Sequence, residues 1–324
     1  MNKPKASGGS RSGSASDWIQ AARLRTLPLA AACVLTGGAV ARSRAMTTPE
    51  TEERFWWVFG GILLTVLVLQ VLSNFANDLG DAENGADDES RTDRAVASGR
   101  ISARAMRVAV IGGAVKSLIF GVATVVFALW GTGLLGPAAL LVGLGGAGIV
   151  AAYKYTAGEN PYGYRGLGDL AVFLFFGWIG VGGTAFLLTH TWDWAWLLPG
   201  TFVGALSTAV LNLNNMRDHV KDAEAGKGTL VTKMGFEMAK NYHLLLFAVG
   251  WGAFLAFFAG VEAGRWTGLF WMALLGLVHL KHLGGVRGVK SPADLDPELK
   301  KIALSTAVVA LFLLLSAINY PLPA

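Results

Sequence analysis

Two short clusters of acidic and amide side chains, each at the end of an apolar stretch, are the residues best suited to chemistry. In chain order they are Asn77, Asp78, Asp81, Asn214, Asn215, Asp218 and Asp222. The clusters match at a constant offset of 137 residues, with Gly85 in the place that corresponds to Asp222. Side chains at i, i+1, i+4 and i+8 share one broad face of a helix. The repeat therefore predicts two polar helix faces.

The donor atoms in these clusters are all oxygens, without histidine or cysteine, and this favours a small hard cation. Mg²⁺ is bound by one or two carboxylates together with water and substrate phosphates. We expect the metal ligands to be Asp78, Asp81, Asp218 and Asp222, and we expect the amides Asn77, Asn214 and Asn215 to bind substrate. A single Asp here would more simply cap a helix and face headgroup water. Two matched clusters favour a functional site, because carboxylates at membrane depth are costly.

Basic residues lie in the segments that follow the same apolar stretches. They are Arg91, Arg94, Arg100, Lys154, Lys221 and Lys227. A metal-bridged diphosphate needs such cations to neutralise its oxygens and to stabilise charge on the departing group. We assign Arg94, Lys154 and Lys227 to catalysis and Lys221 to substrate binding. The alternative for each one alone is an ordinary loop charge of a membrane protein.

A second group, formed by Asp169 together with Tyr155, Tyr162 or Tyr164, could orient a second substrate or remove a proton from it. The alternative for Asp169 is structural, since a carboxylate at the start of a helix meets the helix dipole favourably. Two histidines spaced for one helix face, His279 and His282, are expected at the membrane interface rather than at a metal.

The elements that position these residues are apolar helices. Hydrophobic types make up 53% of the 324 residues and charged types 15%, whereas soluble chains carry about 25% charged residues. A bilayer-spanning helix needs about 20 apolar residues. Nine such stretches are predicted, at 27–41, 55–78, 108–130, 133–153, 167–188, 194–213, 242–261, 266–283 and 302–320. The fold class is an all-α polytopic membrane bundle, with a disordered cytoplasmic tail over 1–16 and one domain over 17–324.

Charge distribution predicts the orientation of this bundle. The tail and the loops after the even-numbered spans hold 22 Lys and Arg residues, and the opposite side holds 4. Positively charged loops stay in the cytoplasm, so we expect a multi-pass protein of the cell (inner) membrane. Its N-terminus and the mouth of its site would be cytoplasmic, and its C-terminus would lie on the other side. Because the basic residues follow this alternation, nucleic acid is not an expected partner.

Five segments resemble the UbiA-type intramembrane prenyltransferases: residues 23–29, 74–81, 160–169, 214–222 and 226–230. Within that family the segments 160–169 and 226–230 are most similar to members that prenylate 1,4-dihydroxy-2-naphthoate in menaquinone biosynthesis. The resemblance implies a nine-helix bundle, Mg²⁺ as cofactor, and polyprenyl diphosphate and 1,4-dihydroxy-2-naphthoate as substrates in a lipid bilayer. It places Asn77, Asp78 and Asp81 in the first motif and Asn214, Asp218 and Asp222 in the second. Gly85 departs from the family pattern, and Asp87 is expected to supply the missing acid.

The sequence leaves alternatives open for the acceptor substrate and for the class of protein. Another enzyme of the same family would prenylate 4-hydroxybenzoate, homogentisate or haem. A secondary transporter also combines internal repeats with polar sites, but places those sites at the membrane midplane in broken helices. Release of diphosphate would indicate the enzyme, and counterflow without chemistry would indicate transport.

Overall fold

The computed structural model describes residues 12–43, 49–86, 94–261 and 266–319, and all regular secondary structure in these ranges is helical. This confirms the predicted all-α class. The α helices are α1 (Ala15–Ala21), α2 (Leu27–Arg42), α3 (Pro49–Glu83), α4 (Ala103–Leu129), α5 (Leu135–Lys154), α6 (Gly168–Val172), α7 (Gly180–Thr189), α8 (Leu197–Glu224), α9 (Leu230–Met234), α10 (Phe236–Val261), α11 (Trp266–Gly288) and α12 (Asp296–Asn319).

Eight helical segments of the described chain are long and apolar enough to cross a membrane. The predicted eighth span corresponds to α11, which is 23 residues long but carries His279, Lys281 and His282 in its second half and is not among the eight. Many large apolar side chains on the outer surface are exposed, such as Val108, Ile119 and Leu135. An apolar exterior of this kind suits lipid, and the chain is a multi-pass membrane protein.

The start of the chain differs from the prediction of a tail that ends at Ser16. Helix α1 begins at Ala15, and the preceding Ser14 forms a capping box with Asp17. Reciprocal hydrogen bonds of this type satisfy backbone N–H groups that the first turn leaves unpaired. Helical structure is therefore present before the predicted boundary, because the capping residue Ser14 lies within the predicted tail.

Helix α8 is central in the bundle, and 67% of its most apolar stretch is buried. It packs against α10, α12 and α2. The predicted sixth span ends at residue 213, but the helix continues to Glu224. The entire second polar cluster is therefore helical, and it extends from the span with the largest buried share among the eight described candidates.

A close glycine contact holds α8 against the segment between α6 and α7. That segment, Phe173–Ile179, is a π-helical insertion in what the sequence predicted as one continuous span. A Cβ on Gly177 would lie 2.6 Å from the carbonyl oxygen of Gly200, and one on Gly204 would lie 2.7 Å from that of Phe173. Small residues four apart allow membrane helices to approach at backbone distance, so this contact sets the position of α8.

A buried polar chain links α8 to the last three helices. The amide nitrogen of Asn212 lies 3.5 Å from Nδ1 of His243, and Nε2 of His243 lies 2.9 Å from Nε2 of His282. Nδ1 of His282 is then 2.5 Å from the Glu298 carboxylate on α12. These contacts satisfy polar groups that would otherwise be costly inside an apolar bundle.

The third buried ring belongs to His279. Trp251 donates its indole N–H to Nδ1 of His279 at 3.0 Å, and Nε2 of His279 lies 2.8 Å from the hydroxyl of Ser305. His279 and His282 are 1% and 4% exposed, so both rings are enclosed by protein partners, and their position at the membrane interface stays a prediction. Their partners come from distant parts of the sequence, which spacing on one helix could not reveal.

Candidate functional site

Residues of both polar clusters face one cavity of about 430 Å³. Its polar end is lined by Asn77, Asp81, Arg94, Tyr162, Tyr164, Asn214, Asn215, Asp218, Asp222 and Lys227. The remainder is largely apolar and is lined by residues such as Leu29, Ile62, Val66, Leu69, Val125, Leu141, Phe175 and Leu187. The cavity therefore combines a charged mouth with a long apolar interior.

Gly80 allows the end of α3 to approach the segment after α5. A Cβ at Gly80 would lie 2.6 Å from the Thr156 hydroxyl and 2.7 Å from its carbonyl carbon. The Thr156 hydroxyl is 3.3 Å from Oδ1 of Asn77, and Tyr164 donates its hydroxyl to Asp81 at 2.8 Å. This close approach orients the first cluster toward the tyrosine-rich loop.

The end of α8 turns Lys227 back toward the second cluster. Gly226 has a φ of +73°, a left-handed conformation that glycine adopts readily at helix ends. The backbone N–H of Lys227 donates to the carbonyl of Asp222 at 2.8 Å, and that of Gly228 donates to the carbonyl of Tyr164 at 2.8 Å. The glycine pair that flanks Lys227 therefore holds its loop against the tyrosine loop.

The ammonium of Lys227 joins the two clusters. It lies 2.9 Å from Oδ1 of Asp81 and 3.5 Å from Oδ1 of Asp222, and 5.0 Å from the centre of the Tyr164 ring. Arg94 approaches the other Asp81 oxygen at 3.6 Å. These carboxylates are almost fully buried, so the cations offset their mutual repulsion and their loss of hydration.

Asp218 is paired differently from the other two acids of the cavity. Arg217, its neighbour on α8, contacts both carboxylate oxygens at 3.0 and 2.8 Å. The same guanidinium reaches Asp296 at the start of α12. The three acids of the cavity wall therefore belong to two ion-pair groups.

Asp78 does not lie on the cavity wall, which differs from its predicted place among the metal ligands. Its carboxylate is 1% exposed and accepts the backbone N–H groups of Ala95 at 3.0 Å and Val96 at 3.3 Å. Successive helix residues point about 100° apart, so Asn77 and Asp81 face the cavity while Asp78 faces this loop. The contact fixes the segment that carries Arg94.

Three tyrosines line the cavity as a group: Tyr155, Tyr162 and Tyr164. The rings of Tyr155 and Tyr162 meet edge to face with centres 5.5 Å apart. Burial raises the pKa of Tyr162 to about 12 and raises the pKa of Tyr155 further. Both hydroxyls are therefore protonated at neutral pH and are suited to donate hydrogen bonds rather than to remove a proton.

Asp169 lies behind the cavity wall rather than on it. It is 6% exposed, it stands in the first turn of α6, and it accepts a hydrogen bond from the hydroxyl of Tyr242 at 3.2 Å. This placement agrees with the structural alternative, in which the carboxylate stabilises the helix start.

Two predicted basic residues lie apart from the cavity. Lys154 and Lys221 are exposed and neither lines its wall. Arg100 binds the acceptor atoms of Ser98 and Gln20 instead. The predicted roles of Arg91 and Asp87 lie outside the described residues.

Two cavity residues, Arg23 and Arg25, were given no role from the sequence although they belong to a segment used for the resemblance. Both line the cavity, and Arg23 has a φ of +47°, which is uncommon for a residue other than glycine. A basic pair directly before an apolar span was the available signal. The positive-inside rule accounts for the same pair of arginines equally well, so the sequence alone does not place them in the site.

The donor set of the cavity fits a magnesium ion that shares its ligands with a substrate. In the described part of the chain no three His, Cys, Asp or Glu side chains are placed to hold a metal by themselves. Mg²⁺ does not need such a cage, because it keeps waters and takes substrate phosphate oxygens beside one or two carboxylates. Asp81, Asp218 and Asp222 offer hard oxygens to the same cavity. The residues present are therefore compatible with a metal that binds together with an anion.

A membrane bundle with matched acidic helix ends above an apolar cavity defines the class of protein, and the sequence comparison agrees. The chain belongs to the UbiA prenyltransferase family, which matches residues 30–299. A solved structure of digeranylgeranylglyceryl phosphate synthase shares the fold, with a TM-score of 0.57 over 94% of this chain and 99% of that one, at 14% identity.

Similar curated proteins come from several bacteria and are named 1,4-dihydroxy-2-naphthoate octaprenyltransferase. The Haemophilus influenzae protein is 38% identical over 90% of this chain and 92% of its own length. The Escherichia coli protein is 41% identical over 71% and 72% of the two chains. The Mycobacterium tuberculosis protein is 34% identical over 91% and 94%. The comparisons therefore confirm the family that the motifs indicated.

Proposed function

We propose that this enzyme transfers a polyprenyl group from polyprenyl diphosphate to 1,4-dihydroxy-2-naphthoate, a step of menaquinone biosynthesis. The products would be demethylmenaquinol, CO₂ and diphosphate. The observation that carries the proposal is the charged mouth on a long apolar cavity, in a chain 38% identical to a naphthoate octaprenyltransferase over most of both lengths.

The cavity suits a donor with an anionic head and an isoprenoid tail. Asp81 and Ile62 both line it and lie 19 residues apart on α3, which is about 28 Å of helix. A tail of many isoprene units could extend through this interior while the diphosphate stays beside Arg94 and Lys227. Burial of the tail would contribute binding energy, and the walls would exclude water from the reacting carbon.

Catalysis would begin with weakening of the allylic C–O bond. Mg²⁺, held by Asp81, Asp218 and Asp222, would neutralise charge on the diphosphate oxygens. The ammonium of Lys227 and the guanidinium of Arg94 both lie within 4 Å of Asp81, so they are placed to stabilise the departing diphosphate. Because Lys227 and Arg94 would contact both Asp81 and the diphosphate, binding of the prenyl donor is coupled to the first cluster.

The acceptor ring would then form a C–C bond to the prenyl carbon at the ring position that carries the carboxylate. Loss of that carboxylate as CO₂ returns its bonding electrons to the ring, so no proton has to be removed. The protonated hydroxyls of Tyr155 and Tyr162 can hold the acceptor by hydrogen bonds. Attack by 4-hydroxybenzoate at a ring C–H would instead require removal of a proton, a step that the two protonated tyrosines do not supply.

An acceptor competition tests the proposal. Purified protein in lipid is incubated with Mg²⁺, a polyprenyl diphosphate and equal amounts of 1,4-dihydroxy-2-naphthoate and 4-hydroxybenzoate, and the product masses and released diphosphate are measured. We expect prenylated, decarboxylated naphthoate with one diphosphate per product. A prenylated benzoate would reassign the acceptor, and substrate movement without diphosphate release would indicate transport.

A further inference from the structure

Arg217 lies on α8 between two residues of the second cluster but does not line the cavity. Its Nη2 donates to Oδ1 of Asn214 at 2.9 Å and to Oδ2 of Asp218 at 2.8 Å, and its Nε donates to Oδ1 of Asp218 at 3.0 Å. Its Nη1 donates to Asp296 at 2.7 Å. One half-buried guanidinium therefore binds both site residues and ties them to the start of α12.

The chemistry of arginine fixes which end of the Asn214 amide faces the cavity. A guanidinium has five N–H donors and no acceptor, so the atom of Asn214 that meets Arg217 must be the carbonyl oxygen. Asn214 also lines the cavity, and the group left to face its interior is the NH₂. Asn214 is then a hydrogen-bond donor toward an anion rather than an oxygen ligand toward a metal.

Asp218 is oriented by the same group through a two-pronged contact. Paired N–H bonds from arginine fix a carboxylate in both position and plane. Asp296 supplies a third direction of restraint, and it is itself 3.3 Å from Arg25. The Arg217 side chain is therefore held from two helices and presents Asp218 in one orientation.

We propose that Arg217 is a positioning residue, which sets Asn214 to donate its N–H groups to the substrate diphosphate and holds Asp218 in its orientation on the cavity wall. The proposal rests on the proposed function, since it requires a diphosphate in this cavity. Lysine could not replace Arg217, because one ammonium cannot bind Asn214, both oxygens of Asp218 and Asp296 with the same planar geometry.

The replacement Asn214→Asp separates this role from metal ligation. It keeps the side-chain size and the oxygen that Arg217 binds, but it removes the N–H donor and adds a negative charge. If Asn214 donates to diphosphate, binding should weaken by about ten-fold or more, the usual cost of a lost hydrogen bond to a charged group. If it were an oxygen ligand of Mg²⁺, the added carboxylate should tighten binding.

The experiment measures binding of inorganic diphosphate, in the presence of Mg²⁺, to full-length protein in lipid nanodiscs by calorimetry. The variants are Asn214→Asp and Arg217→Lys, with Arg107→Lys as a control, since Arg107 pairs with Glu83 on the exposed surface. Melting temperatures identify any variant that has not folded. Turnover is measured in parallel, and we expect KM for the donor to rise in both site variants.

Three outcomes decide the matter. Weaker diphosphate binding by Asn214→Asp and Arg217→Lys, with the control unchanged, supports the proposal. Unchanged or tighter binding by Asn214→Asp, when the wild type binds, overturns the role of Arg217 and leaves the proposed function standing. Failure of the wild type to bind diphosphate overturns both.

Discussion

The ion pairs of Lys227 with Asp81 and Asp222 can be tested directly by replacing the lysine. Coulomb's law at an effective dielectric constant of about 20 gives attractions of about 6 and 5 kcal/mol at the 2.9 and 3.5 Å separations. Desolvation of the three buried groups offsets much of this, and removal of one partner from a buried ion pair typically costs about 3–5 kcal/mol. Arg94 remains near Asp81, so we expect the lower end of that range for Lys227→Met.

The replacement should therefore lower the melting temperature by about 4–6 °C and the rate by about 100-fold or more, since a key electrostatic group is lost. Excess Mg²⁺ should raise the melting temperature of Lys227→Met more than that of the wild type, because the cation can take the vacated place between the carboxylates. Lys227→Arg, which keeps the charge, is the matched control.

The assay is a melting curve of the protein in detergent with and without Mg²⁺, beside product formation from a polyprenyl diphosphate and 1,4-dihydroxy-2-naphthoate. An unchanged melting temperature together with a rate within ten-fold of the wild type would show that Lys227 does not join the two clusters. Equal stabilisation of both proteins by Mg²⁺ would refute competition between the ammonium and the metal.

Three further predictions concern the acid cluster, the metal and the packing of α8. Asp81→Asn should reduce product formation by about 100-fold or more while circular dichroism of the purified protein stays unchanged, and retention of a tenth of the rate would remove this residue from the site. Chelation with EDTA should stop product formation and Mg²⁺ should restore it, with Zn²⁺ a poor replacement for an all-oxygen ligand set; undiminished turnover after chelation would contradict a metal-bound diphosphate. Gly204→Ala should destabilise the protein by about 1–3 kcal/mol, because its Cβ would lie 2.7 Å from the Phe173 carbonyl oxygen, and an unchanged melting temperature would show that α8 can move. A fourth concerns orientation: after replacement of Cys33, a cysteine at Ser98 should react with an impermeant label only from the cytoplasmic side and one at Thr191 only from the other side, and the reverse pattern would overturn the orientation inferred from charge.

The sequence predicted the ends of a membrane span well where the apolar run is bounded by polar residues. The predicted span 133–153 is helix Leu135–Lys154 in the structure. The π-helical segment Phe173–Ile179 could not be predicted from hydropathy, because its residues are as apolar as the rest of the span. Its cause is tertiary, namely the backbone contact of Gly177 with α8, and hydropathy carries no information about such contacts.

In the site, likewise, the sequence predicted which residues share a helix face but not which of their side chains face the cavity. Asn214, Asp218 and Asp222 are four residues apart and do line one wall, as helical periodicity predicts. Asp78 belongs to a broader face in the same pattern, yet it binds a loop that the sequence could not place. Spacing on α8 could not assign a role to Arg217, because the guanidinium is held by Asp296, a residue remote in sequence.

The buried imidazoles between α8 and α12 have only one arrangement of their hydrogens. The Asn212 amide nitrogen and the Trp251 indole can only donate, so the Nδ1 atoms that they meet on His243 and His279 carry no hydrogen. His243 then donates from Nε2 to His282, whose own hydrogen must lie on Nδ1 and points to Glu298. Neighbouring rings are thus opposite tautomers. A proton added to any of the three would set two N–H groups face to face, so this set of hydrogen bonds is complete only while all three rings are neutral.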